Sequence, residues 1–274
     1  MRIAFIGGGT MGEAMIRSLL AVRIADPQDI TVSDISASRV EWLNKEYKVR
    51  TLTDNKKAAK DADLIILAVK PQDLPQVMKS IKVLPGQLVL SIVAGASLSS
   101  LSQGLNHMAV IRAMPNMPAQ IGKGITVWTA TTKVNQEQKT IAQSIFSSSG
   151  EEIYVTDEKY LDMATALSGS GPAYVFLFME TLVDAGVHIG LPRNIAEKLV
   201  VQTVLGSAQA IPKMGKHPAE LRNMVTSPGG TTAAALLQIE KGAFRSSILE
   251  AVAAAYNKAK FLALPPDERK AAPE

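Results

Sequence analysis

Cysteine is absent from the 274-residue chain, which excludes a disulfide framework, a thiolate nucleophile and a zinc-thiolate centre. The absence fits a reducing compartment. Histidine is nearly absent too. His107, His188 and His217 lie far apart, so no metal site is expected, and no Ser, His and Asp arrangement points to hydrolysis. Charge of one sign is lacking: 29 basic and 25 acidic residues are interspersed and leave a formal charge of only +4. Without a basic stripe the footprint of a nucleic-acid binder is missing, although the small excess helps to attract an anionic ligand. No uninterrupted apolar run approaches the roughly 20 residues of a membrane span. The apolar start at residues 1–6 stops in Gly7-Gly8-Gly9 instead of reaching a cleavage site, and therefore reads as a buried strand and not a signal peptide. These absences predict a soluble, cytoplasmic protein with no nucleic-acid or membrane partner.

What is present is a generous core, with 47% apolar and 20% charged residues. The length suits two modest domains, expected at 1–160 and 161–274. In the first half, short aliphatic runs alternate with amphipathic stretches, the pattern of strands joined by helical crossovers. Strands are expected at 2–6, 30–33, 49–51, 64–69, 88–92, 109–112, 125–129 and 152–155, with a helix at 135–147 between the last two. Residues 64–69 are apolar throughout, as in a strand covered on both faces. The fold class is thus α/β, an N-terminal Rossmann-type, doubly wound and mostly parallel sheet followed by a C-terminal all-α domain. Within the latter, residues 173–179 are apolar on every side of a helix, which predicts burial in a subunit interface and a homodimer or multimer of dimers. The tail from Leu264, with Pro265-Pro266 and several charges, is expected to fray.

Gly7-x-Gly9-x-x-Gly12, with Thr10 and Met11 between the last two glycines, follows the first strand and opens a helix. That is the context of a dinucleotide fingerprint, in which glycines allow the turn and the close approach of backbone to pyrophosphate. Asp34 ends the second strand, at the place where an acid hydrogen-bonds the ribose 2′-hydroxyl of NAD. Ser33, Ser36, Ser38 and Arg39 together offer a cradle for the 2′-phosphate of NADP. The choice between NADP and NAD stays open at this point.

Four further segments stand in order along the chain: Ala68-Val69-Lys70-Pro71, Met114-Pro115-Asn116, Leu167-Ser168-Gly169-Ser170-Gly171-Pro172-Ala173-Tyr174 and Ser227-Pro228-Gly229-Gly230-Thr231-Thr232. With the glycine fingerprint they resemble the pyrroline-5-carboxylate reductase family over nearly the whole chain. Thr10, where the family often has Asn, and Met117 depart from its pattern. The resemblance implies NAD(P)H-dependent reduction of L-1-pyrroline-5-carboxylate to L-proline, the last step of proline biosynthesis. It implies cofactor contacts from residues 68–71, Asn55, Ala94, Met114, Pro115 and Asn116. For the substrate, a small molecule with a carboxylate, it implies contacts from Ser227, Gly229, Gly230, Thr231 and Ser170, with the Thr232 hydroxyl at the ring nitrogen as the catalytic contact.

Each segment also has a purely structural reading. Lys70 reads as a solvated lysine and Asn55 as a turn residue, Ser170 as the cap of a helix with Pro172 at its first position, and Thr231 or Ser227 as another helix cap. The Lys and Asn pattern of β-hydroxyacid dehydrogenases is absent from 167–182, which counts against alcohol chemistry needing a general base. The alternatives are a reductase of another cyclic imine or carbonyl on the same fold, and an NAD(P)-binding regulatory protein without turnover.

Overall fold

A computed structural model describes residues 1–264; the expectation for the tail beyond them lies outside the described residues. The chain forms β1 (Ile3–Ile6), α1 (Thr10–Ala21), β2 (Ile30–Ser33), α2 (Ala37–Tyr47), β3 (Arg50–Leu52), α3 (Asn55–Lys60) and β4 (Leu64–Leu67). It continues through α4 (Leu74–Ser80), β5 (Leu88–Ser91), α5 (Leu98–Leu105), β6 (Val110–Met114), β7 (Gly124–Ala130), α6 (Gln136–Ser147) and β8 (Gly150–Tyr154). The remainder is helical: α7 (Lys159–Ala164), α8 (Gly171–His188), α9 (Arg193–Met214), α10 (Pro218–Met224), α11 (Thr231–Lys241) and α12 (Phe244–Ala263).

The strands make one sheet in the order β3-β2-β1-β4-β5-β6-β7-β8, parallel except between β6 and β7. Alternate residues of each central strand feed opposite faces. Ile3, Phe5, Leu64 and Ile66 enter one core cluster, whereas Ala4, Ile6, Ile65 and Leu67 enter the other. Burial on both sides is why these strands read as continuous apolar runs. The order reverses between β1 and β4, the switch point at which open α/β sheets bind ligands beyond their carboxyl ends.

Two compact units result: residues 1–170 with the described end of α12 from residue 255, and Gly171–Ala254. The division falls ten residues beyond the boundary expected at 160, because the helical stretch that starts at α7 still packs against β6 and β7. The second unit is helical throughout. Its α8 leaves Val175, Phe176, Leu177 and Phe178 at 45%, 49%, 65% and 42% exposure, with Val183 its only buried residue.

The expected helix start at Pro172 is not a chain break. Residues Thr165–Gly169 form a π-helical turn that runs from α7 into α8, and Ser170 does not cap α8. Its hydroxyl donates instead to the Thr165 carbonyl at 3.1 Å, as that of Ser168 does to Ala164 at 2.9 Å. Pro172 has no N–H with which to reach back to the Ser168 carbonyl, so the register shifts there and the serine hydroxyls take up carbonyls of the preceding turn.

Candidate active site

The β1–α1 connection is shaped by what it cannot tolerate. Gly7 has φ +101°, and a Cβ there would stand 2.5 Å from the Ala68 carbonyl oxygen at the end of β4. Gly12 packs α1 onto the end of β1, since a Cβ on it would approach the Gly7 oxygen to 2.8 Å. Gly9, the N-cap of α1, has no neighbour within 4 Å of its Cβ position. Two glycines are therefore needed for packing, and the third faces open space at a helix N-terminus. That is where a pyrophosphate requires a bare backbone.

A cleft of about 240 Å³ opens there, lined by Gly7, Gly9, Ser33, Asp34, Ile35, Asn55, Ala68, Val69, Lys70, Asp73 and Val77. Seven of the residues expected at the cofactor are thus gathered by the ends of β1, β2, β3 and β4. Asp34 is partly buried, accepting from the Gly8 N–H at 2.8 Å through Oδ2 and from the Ser36 N–H at 2.9 Å through Oδ1. Asn55 accepts from the Ser33 hydroxyl at 2.7 Å. Ser33 is completely buried, so of the four residues counted toward a phosphate cradle it offers nothing to a ligand. Lys70 is exposed at the rim.

Pro71 and Ala94 line a neighbouring cavity of about 690 Å³ with Gly95 and the end of α12. Thr10 is exposed and Met11 partly so at the start of α1. The loop after β6 is fixed by Asn116, which accepts from the Ile125 N–H at 2.9 Å and donates to the Ser168 carbonyl at 3.2 Å. Pro115 is buried, and the Met114 methyl fills the space a side chain on Gly169 would need, 2.8 Å from its Cβ position.

Sequence reasoning missed Arg112. Only 4% exposed on β6, it bonds Glu158 at 2.8 Å and Asp162 at 2.6 Å, and Glu158 also accepts from the Leu98 N–H at 2.7 Å. One guanidinium so ties β6, two residues before Met114, to α5 and α7. The partners lie 46 and 50 residues away, and no local pattern announces them.

In the second unit, Gly230 caps α11 and Gly229 has φ +69°. Ser227 and Gly230 are so close that a Cβ on the glycine would lie 2.4 Å from the serine Oγ. Among the described residues, no side chain accepts from the first-turn N–H groups of α11, and the hydroxyls of Ser227, Thr231 and Thr232 have no partner. Thr232 is partly buried, the other two exposed. The structural reading of Thr231 or Ser227 as a cap is therefore not realised; this helix entrance keeps its donors free.

A sheet of this order, with a bare helix N-terminus and an acid at the end of β2, defines a Rossmann-type nicotinamide-dependent oxidoreductase. Residues 2–95 match the family model described as NADP oxidoreductase, coenzyme F420-dependent. Residues 158–262 match the one described as pyrroline-5-carboxylate reductase dimerisation. The pyrroline-5-carboxylate reductase of Synechocystis is 45% identical over 263 residues, covering 96% of this chain and 98% of that one. Among solved structures, a pyrroline-5-carboxylate reductase from Coxiella burnetii superposes with a TM-score of 0.86 at 36% identity, covering 96% of this chain and 99% of that one. The pyrroline carboxylate reductase of Plasmodium falciparum, solved with NADP bound, gives 0.89 at 33%, covering 96% and 98%. The chain belongs to the pyrroline-5-carboxylate reductase family, and it is an oxidoreductase of the C=N class that uses NAD(P). Among the described residues, no helix is long and apolar enough to cross a membrane.

Proposed function

We propose that the first unit holds the dinucleotide through the glycine loop, Asp34, Asn55 and residues 68–71, with Ala94 and the 114–116 loop toward the nicotinamide, and that residues 227–232 hold the substrate. The reaction is the reduction of L-1-pyrroline-5-carboxylate to L-proline, the last step of proline biosynthesis. NAD(P)H supplies the hydride when bound.

The observation that carries the substrate assignment is the uncapped entrance of α11. Its free N–H groups and helix dipole favour an anion, and the substrate carboxylate is one. Gly229 and Gly230 keep side chains away from that anion, Ser227 and Thr231 offer it hydroxyls, and Ser170 serves the substrate from its bonded position on the π turn. The Thr232 hydroxyl orients the ring nitrogen and assists its proton. A protonated imine is already electrophilic at carbon, so alignment does most of the work and no strong general base is needed.

The exposed apolar residues all round α8 support a homodimer or multimer of dimers as the working form, and the cytoplasm is its proposed place. Oxidation of NAD(P)H by the purified protein with L-1-pyrroline-5-carboxylate tests the reading. Turnover with this substrate and not with other cyclic imines or ketones is expected; turnover only with the others would overturn it.

A further inference from the structure

Directly behind the glycine loop lies a half-buried cluster that neither the reaction nor the turn requires. Arg39, in the first turn of α2, donates from Nε to the Gly8 carbonyl at 2.6 Å and is ion-paired through Nη2 with Glu13. Its guanidinium carbon stands 4.7 Å from the centre of the Trp42 ring. The second Glu13 oxygen accepts from the Tyr47 hydroxyl at 2.9 Å. Arg39 and Glu13 are 26% and 21% exposed, too covered for solvent to screen the pair fully.

The other side of the same residue, the Gly8 N–H, is held by Asp34. Two opposed recognition elements therefore flank one glycine. Asp34 suits a ribose 2′-hydroxyl, whereas Arg39, with the Ser36 and Ser38 hydroxyls 3.0 Å apart at the start of α2, suits a 2′-phosphate. Which one dominates depends on the third charge. Glu13 cancels Arg39 and leaves Asp34 as the net charge; without it Arg39 would offset Asp34.

We propose that Glu13 determines cofactor specificity: by neutralising Arg39 and holding it against Gly8, it biases the site toward NAD(H) over NADP(H). This rests on the reading that the β1–α1 loop holds the dinucleotide. Glu13 touches no reacting atom and acts through Arg39.

The test is calorimetric measurement of the dissociation constants of NAD⁺ and NADP⁺ for the wild type, Glu13→Gln and Glu13→Gln/Arg39→Gln. Glutamine keeps the shape and the acceptor for Tyr47, so folding is preserved. The affinity ratio is the readout, because a charge in the first turn of α1 acts on the pyrophosphate of both cofactors alike. Glu13→Gln should improve NADP⁺ relative to NAD⁺ by roughly tenfold, about 1.4 kcal/mol, and the gain should vanish in the double variant. An unchanged ratio, a parallel weakening of both cofactors, or a gain that survives without Arg39 would each overturn the proposal. Gly9→Val separates this from failure of the underlying reading. It should abolish binding of both cofactors, and if it spared both, the loop itself would not be the dinucleotide site.

Discussion

The Asn116 side chain donates to the Ser168 carbonyl, the group that Pro172, four residues on and lacking an N–H, leaves without its helical partner. The loop after β6 is thereby fastened to the π turn, and its far side is closed by the bond from the Ile125 N–H. Asn116→Ala removes both bonds and leaves two partly buried backbone groups unpaired, at a cost of about 1–3 kcal/mol. Urea unfolding should show that loss together with a fall in kcat/KM. Unchanged stability would mean that the loop is held by its prolines alone.

Arg112 makes a second anchor. Arg112→Met leaves Glu158 and Asp162 as uncompensated acids beside a buried site, and breaking one side of such a pair costs about 3–5 kcal/mol. Replacing all three by apolar residues should recover much of this, because the cost lies in the unpaired charge. The comparison is made by denaturant unfolding of the single and triple variants, and equal stabilities would remove the argument.

Tyr47 ties stability to alkaline pH. Burial, its hydrogen bond to Glu13 and the Glu13 charge push its pKa from 10.0 up to about 12. A folded-state pKa raised above the unfolded value favours the protonated, folded form. The contribution is complete below pH 10 and is lost as pH rises toward about 12. Tyr47→Phe should flatten that part of the stability profile; an unaltered slope would show that another group titrates there.

Phe176 and Phe178 are exposed on different sides of α8, and a charge at either is incompatible with an apolar interface. Sedimentation at micromolar concentration should give a dimer or a multiple of it for the wild type and a smaller species for Phe176→Asp. A wild-type monomer would remove the assembly proposal.

Much of this was legible in the sequence. The central strands stood where aliphatic runs place them, because strands buried on both faces need unbroken apolar sequence; the edge strands β3 and β8, Arg-Thr-Leu and Gly-Glu-Glu-Ile-Tyr, are half-buried or exposed and carry no such run. The glycine loop was legible because Gly7 and Gly12 are demanded by steric contact with β4 and β1. The helix start near Pro172 was legible to within a residue, but the π turn before it was not, because Ser, Gly and Pro usually punctuate a chain, whereas here Asn116 takes up the Ser168 carbonyl that proline strands. The Arg112 node and the Glu13–Arg39–Tyr47 cluster were invisible since each joins residues distant in sequence, and a lone charged residue reads as solvated until its partners are placed.

The entrance of α11 is the proposed substrate site, with the Thr232 hydroxyl at the ring nitrogen. The direct measurement is kcat/KM for L-1-pyrroline-5-carboxylate in Thr232→Val, beside cofactor affinity and thermal stability. A hydrogen bond to a charged group is worth about 1.5–3 kcal/mol, so efficiency should fall roughly 10- to 100-fold while NAD(P)H binding and stability hold. Wild-type efficiency in a variant that binds NAD(P)H normally would contradict it.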